Sequence, residues 1–151
     1  MKKHFFTLTA LMLSALFFST ATAQPRHSTE KELAYAMNEA VHSVIKTDYY
    51  FSPIENKNYP QIVNQIKICE SELESIKLVR TMNLGHEGNT IVALAQIVIM
   101  NRNNCLHSVY RYIKAINEGN KADTEYYKNA ATLERSDAEK YRRQFREYTG
   151  R

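Results

Sequence analysis

The sequence predicts an all-α fold: one domain, a small bundle of four or five helices, with a central antiparallel hairpin stapled by a disulfide. Apolar residues recur at three- and four-residue steps along most of the chain, the period of a helix and not of a strand. Two cysteines, Cys69 and Cys105, stand almost equidistant from the turn-like segment Gly85-His86-Glu87-Gly88, with their midpoint at position 87. Only 4 Gly and 3 Pro, and no Ser/Gly-rich tract, leave little room for linkers.

The chain opens on an export signal. Lys2 and Lys3 supply positive charge, Phe5 to Phe18 form an apolar run, and Ala21-Thr22-Ala23 offers small residues for cleavage, so residues 1–23 read as the signal peptide and Gln24 as the first mature residue. The apolar run covers 14 residues, short of the roughly 20 that cross a bilayer. No cysteine follows the small residues, so no lipid anchor is expected, and the style of the signal points to a bacterial periplasm or secreted space. Residues 24–151 then form a single helical domain of 128 residues, large enough for one core and too small for two.

Each helix carries its own evidence. Thr29-x-x-Glu32 is a capping-box signature at the start of the first, and Leu33, Met37, Ala40, Val41 and Val44 form its stripe, ending near Asp48. Tyr49 to Tyr59, with Ser52-Pro53, Asn56 and Asn58, reads as a loop. Pro60 suits the first turn of a second helix, where its missing N–H is harmless. Ile62, Ile66, Cys69, Leu73 and Ile76 give that helix the clearest stripe in the chain, and it should stop near Asn83.

A third helix is expected from Asn89 or Thr90. Ile91 to Met100 taken alone suits a buried strand as well, but the steps Ile91, Leu94, Val98, Cys105, Val109, Tyr112 and Ile116 run far beyond a strand's usual length, and Glu118-Gly119-Asn120 ends them. From Asp123 a looser stripe of Tyr126, Ala130, Leu133, Tyr141, Phe145 and Tyr148 is interrupted by Asp137. With Ser136-x-x-Glu139 as a possible second cap, it predicts one kinked helix or two short ones.

The cysteines are expected to pair. In an antiparallel hairpin, residues equally far from the turn lie at one level, and both cysteines fall on apolar stripes. A disulfide closing 36 positions would contribute about 4 kcal/mol in the chain-entropy model. No Cys-x-x-Cys spacing suggests redox chemistry.

Composition and motifs exclude more than they assign. The full chain holds 20 basic and 16 acidic residues; Lys2 and Lys3 leave with the signal, so the mature chain keeps 18 basic residues and a net charge of +2. That is too weak a field to argue for nucleic acid. The mature histidines His27, His42, His86 and His107 form no His-Glu-x-x-His, and Glu39-x-x-His42 lacks the second copy that a di-iron bundle needs. No metal ligand set and no cofactor are read, although His42, His107, Met37 and Met100 are the residues a cofactor-binding bundle would have to use. Ser43-x-x-Lys46 matches the spacing of some acyl-transfer nucleophiles, but its companion motifs are missing.

Two stretches remain as partner surfaces. Tyr49, Tyr50, Phe51 and Tyr59 gather rings around Ser52-Pro53-Ile54, and aromatic side chains give large contact area at low entropic cost. Tyr141-Arg142-Arg143-Gln144-Phe145-Arg146 interleaves rings with Arg142, Arg143 and Arg146, suited to an acidic protein, a cell-wall polymer or an anionic lipid. The reading is an exported, non-enzymatic protein-binding domain, of the kind that serves as an inhibitor or immunity protein against an envelope-acting toxin or hydrolase. Its partner is a protein in the envelope or outside the cell, with no membrane contact after cleavage. A periplasmic chaperone or envelope-stress adaptor, and a cofactor- or metal-binding bundle, are the alternatives.

Overall fold

The computed structural model describes residues 26–45, 59–82 and 84–150. The signal read at 1–23 and the loop residues Tyr49, Tyr50 and Phe51 lie outside them. All regular structure among the described residues is helical: α1 (Arg26–Ile45), α2 (Tyr59–Arg80), α3 (Gly85–Asn117) and α4 (Lys121–Thr149). No helix among them is long and apolar enough to cross a membrane.

The bundle is organised around α3. Its 33 residues span about 50 Å at the usual rise, and it packs against all three other helices, most extensively against α4. By contrast, α1 and α2 touch each other little. A helix surrounded on three sides needs a wide apolar arc, which explains why Val92, Ala95, Ile99, Leu106 and Ile113, beside the expected stripe, are buried too. The stripes of α1 and α2 are buried as read: Leu33, Met37, Ala40, Val41 and Val44 on α1, and Ile62, Ile66, Cys69 and Ile76 on α2, with Leu73 partly buried against the core. Gln65, also buried, turns its Nε2 to the carbonyls of Val44 at 3.3 Å and Ser43 at 3.4 Å. It thereby ties α2 to the C-terminal end of the described part of α1.

The boundaries differ from expectation in three places. α1 starts at Arg26, which puts Thr29 inside its first turn, and the described part of the helix ends at Ile45. α3 starts at Gly85 and not at Asn89, so Gly85, His86, Glu87 and Gly88 form its first turn, and the reversal lies just before them. Gly85 takes a φ of 70°, the left-handed geometry a side chain disfavours. Gly88 is needed for a different reason: it is buried, and a Cβ there would meet Leu84 Cβ at 2.9 Å and Leu33 Cδ2 at 3.3 Å. Lastly, α4 runs unbroken from Lys121 to Thr149 through Ser136 and Asp137.

The turn between α3 and α4 is fixed by its caps. Asn120 N–H donates to Ala115 O at 2.9 Å and Gly119 N–H to Ile116 O at 3.1 Å, the paired bonds of a Schellman ending. Asn120 Oδ1 then accepts from Asp123 N–H at 3.2 Å and caps α4. Along this hairpin Ser108 Oγ donates to Glu134 Oε2 at 2.7 Å, and the Arg111 guanidinium lies 5.6 Å from the Tyr127 ring centre.

The expected disulfide is not formed; Cys69 and Cys105 are both free and buried. The antiparallel arrangement of α2 and α3 is as read, since Arg80 Nη1 donates to Gln96 Oε1 at 2.7 Å and Glu70 Oε1 lies 3.7 Å from His107 Nε2. The direction of the thiols is what differs. Gln96 and His107 mark the side of α3 that meets α2. Cys105 comes nine residues after Gln96, about two and a half turns, and therefore points to the opposite side. There Cys105 Sγ donates to Ala131 O of α4 at 3.2 Å. Cys69 stays between α2 and α3 with the Arg102 guanidinium nearby, and burial pushes its thiol up to about 12 against the lowering influence of that cation.

Candidate binding surfaces on the last helix

α4 turns a different face inward from the one its large side chains suggest. Its buried residues are Ala131, Ala138 and Phe145, seven apart, and Phe145 is fully enclosed. Small side chains at two of these positions permit close approach to α3, which favours the tight α3–α4 contact. Tyr126 and Leu133 therefore lie on the outside, 67% and 64% exposed. Asp137 was the signal: it shares their face, two turns and then one turn along, and a carboxylate there marks a solvated side.

Tyr126 is exposed but not loose. Its ring meets the ring of Tyr127 edge to face, with centres 5.1 Å apart and planes at 80°. Tyr127 in turn carries Arg111 from α3 over its face, so the outermost ring is backed by two side chains, one from each helix.

The C-terminal end of α4 builds a second feature. Arg142 and Arg146, one turn apart, face α1 across a groove of about 310 Å³ lined also by Asn38, Val41, His42, Ile45 and Phe145. The basic stretch and the Glu39-x-x-His42 step, 100 positions apart in sequence, thus contribute to one site. Tyr141 packs partly into the core and Phe145 entirely, while Arg143 is exposed and does not line the groove. Glu139 holds Arg142 by one nitrogen, Nη1, with its oxygens at 3.1 and 3.2 Å. Among the described residues of the lining, Arg142, Arg146 and His42 stand above an apolar floor of Val41 and Phe145.

The other sequence candidates are dispersed. His86 and Glu87 are exposed on the first turn of α3, where the carboxylate suits the positive end of the helix. Tyr59 opens α2, away from the α4 groove in sequence and on a different helix. Ser43 Oγ donates to Ala40 O at 2.8 Å and lies 3.3 Å from Glu72 Oε1, a link between α1 and α2. Glu72 itself is raised above the usual carboxylate range by burial, with the Ser43 hydrogen bond acting the other way. Among the described residues no three His, Cys, Asp or Glu side chains gather where they would hold a metal.

No protein-family model, curated protein or solved structure matches the chain, so its surfaces are interpreted on their own chemistry.

Proposed function

We propose that this chain is an exported, non-enzymatic protein-binding domain that serves as an inhibitor or immunity protein against an envelope-acting toxin or hydrolase, and that α4 is its recognition element. One observation carries the reading: Tyr126 and Leu133 are exposed on a helix whose opposite face already supplies the core contact. Removing such large apolar groups from water is what drives association, and a pre-positioned ring loses little entropy on binding. The support of Tyr126 by Tyr127 and Arg111 supplies that pre-positioning. The export signal read in residues 1–23 supports a partner in the envelope or outside the cell, and the small net charge argues against nucleic acid.

The test is capture from native envelope extract with the mature chain as bait, in parallel with Tyr126→Ala plus Leu133→Ala. An inhibitor yields one stoichiometric partner, and the double variant weakens its binding at least about tenfold. Because both side chains are exposed, the variant should melt within a few degrees of the parent. Many weak clients, unaffected by the substitutions, would instead support a chaperone.

A further inference from the structure

We infer that the outer face of α4 pairs, antiparallel, with the same face of a second copy of this chain. Asp123, Tyr126, Ala130, Leu133, Asp137 and Lys140 follow one another at steps of 3, 4, 3, 4 and 3, the spacing of a coiled-coil seam, and none of them is buried. The core contact of α4 is made at Ala131, Ala138 and Phe145, on the other side of the helix. The helix thus carries two seams, one for its own bundle and one turned outward.

The order of chemical types along the outer seam selects the occupant. In an antiparallel pair related by a twofold axis, each helix reads the other's residues backwards. With the axis between positions 131 and 132, Asp123 meets Lys140 of the second copy, Tyr126 meets Asp137 of the second copy, and Ala130 meets Leu133 of the second copy. The remaining three layers repeat these by symmetry. Opposite charges meet, a phenol donor meets a carboxylate acceptor, and a small side chain meets a large one. Competing arrangements lose this match. A slide of one heptad sets Leu133 against Asp123 in one direction and against Asp137 in the other, and a parallel pair sets Asp123, Asp137 and Lys140 each against its own copy.

The flanks agree with that register. On one side Ala122, Asn129 and Ser136 are short, uncharged and exposed, so they admit close approach and place Asn129 opposite Ser136 of the second copy. On the other side Tyr127 and Glu134 are engaged by Arg111 and Ser108 of α3. Asp123 Oδ2 accepts from Asn120 Nδ2 at 2.8 Å, which steadies a carboxylate that has further acceptor capacity. Lys140 Nζ lies 5.5 Å from the Tyr141 ring centre and is exposed, so it turns outward at the cost of one surface contact.

Size sets the strength. The seam is about 25 Å long at the usual rise and buries roughly 1,000 Å² in all, the small end of specific interfaces. Such a dimer dissociates in the range of about 10 µM to 1 mM. The pairing stands on the seam and does not rest on the protein-binding reading above; where both hold, a second copy and the partner compete for Tyr126 and Leu133.

The test is sedimentation equilibrium on the mature chain between about 10 µM and 1 mM, where a reversible monomer–dimer equilibrium is expected. Lys140→Glu and Asp123→Lys should each weaken the dimer at least about tenfold, because each sets like charges together in two layers. Mixed one to one, the two variants again bring opposite charges together in both outer layers and should pair as tightly as the parent. Asp123 lies at the cap of α4, so a second measurement stands apart from it: chains carrying Ala130→Cys and Leu133→Cys, mixed and oxidised, should give the mixed disulfide at least about fivefold over either symmetric one.

A chain that stays monomeric across the range overturns the pairing, and Tyr126 and Leu133 then belong to a different molecule. A dimer indifferent to Lys140→Glu overturns it as well, as do symmetric disulfides in equal or greater yield, or folded variants that fail to pair on mixing. The two proposals fail separately. A monomer that captures a stoichiometric envelope partner sinks the pairing alone; a dimer that obeys the charge reversals but captures no partner sinks the inhibitor reading alone.

Discussion

Both thiols should be countable only after the protein is unfolded, despite an expected life in an oxidising compartment. Cys69 and Cys105 are each 0% exposed; Cys69 lies between α2 and α3 near Arg102, whereas Cys105 meets Ala131 of α4. For Cys69 the reactivity follows from ionisation, because the thiolate is the nucleophile. At about pH 8 a thiol at the ordinary value of 9.0 is roughly one-tenth ionised, whereas one at about 12 is ionised in about one molecule in ten thousand. That is a thousandfold loss of the reactive form before any steric protection. Reaction in the native state therefore proceeds through opening of the α2–α3 contact and reports its free energy. The assay is thiol titration with an aromatic disulfide, with and without denaturing guanidinium, on protein purified in air without reductant. Two thiols should appear in denaturant and almost none without it over the same time. A mass lower by two hydrogens, with no thiol in denaturant, would refute the placement of Cys105 against Ala131. Fast labelling of Cys69 in native protein would refute its burial.

Three further outcomes follow from the packing. Phe145→Ala removes the largest fully buried side chain and should cost about 3–5 kcal/mol, read by urea unfolding; a cost below about 1 kcal/mol would mean that α4 does not seat there. Ser108→Ala leaves Glu134 without its 2.7 Å donor and should cost about 1.5–3 kcal/mol, with Glu134→Gln restoring part of the loss in the double variant. Glu72 is raised above 4.5 in the fold, so its contribution to stability is complete below that unfolded value and is lost as pH rises through the folded one. Glu72→Gln should accordingly gain on the parent as pH is raised from strongly acid to neutral, and a stability difference that stays constant across that range would dispose of the idea.

The legible part of the fold was the part written in large apolar side chains at regular steps. Leu33, Met37, Val41 and Val44, and likewise Ile62, Ile66 and Ile76, are buried because size and period agree there. The turn at Gly119 was legible because its cap uses residues whose conformational preference is local. In α4 the same logic inverted the helix: Tyr126 and Leu133 outweigh Ala131 and Ala138 in hydrophobicity, but the alanines permit contact with α3. The cysteines failed for a related reason. Membership of an apolar stripe shows that a residue is buried, and on a helix with three neighbours it does not show against which one. The meeting of His42 with Arg142 and Arg146 is a product of tertiary packing between the first and last helices, which no local pattern encodes.

The dominance of α3 has a consequence for the order in which this chain acquires its shape. α3 and α4 are neighbours in sequence, joined by a three-residue connection at Glu118 to Asn120, and make the most extensive contact in the bundle. Closing so short a loop costs little entropy, and contacts between adjacent segments form early. α1 meets α3 only across the intervening length of α2, and it completes the groove only when it reaches α4. The C-terminal hairpin is thus the natural nucleus, and the N-terminal helix is the latecomer. During synthesis the same N-terminal helix emerges first, so the chain must wait for its last-synthesised half before it can assemble. Its rival for α1 in that interval is any chaperone that reaches the exposed Leu33, Met37 and Val41 face ahead of α3.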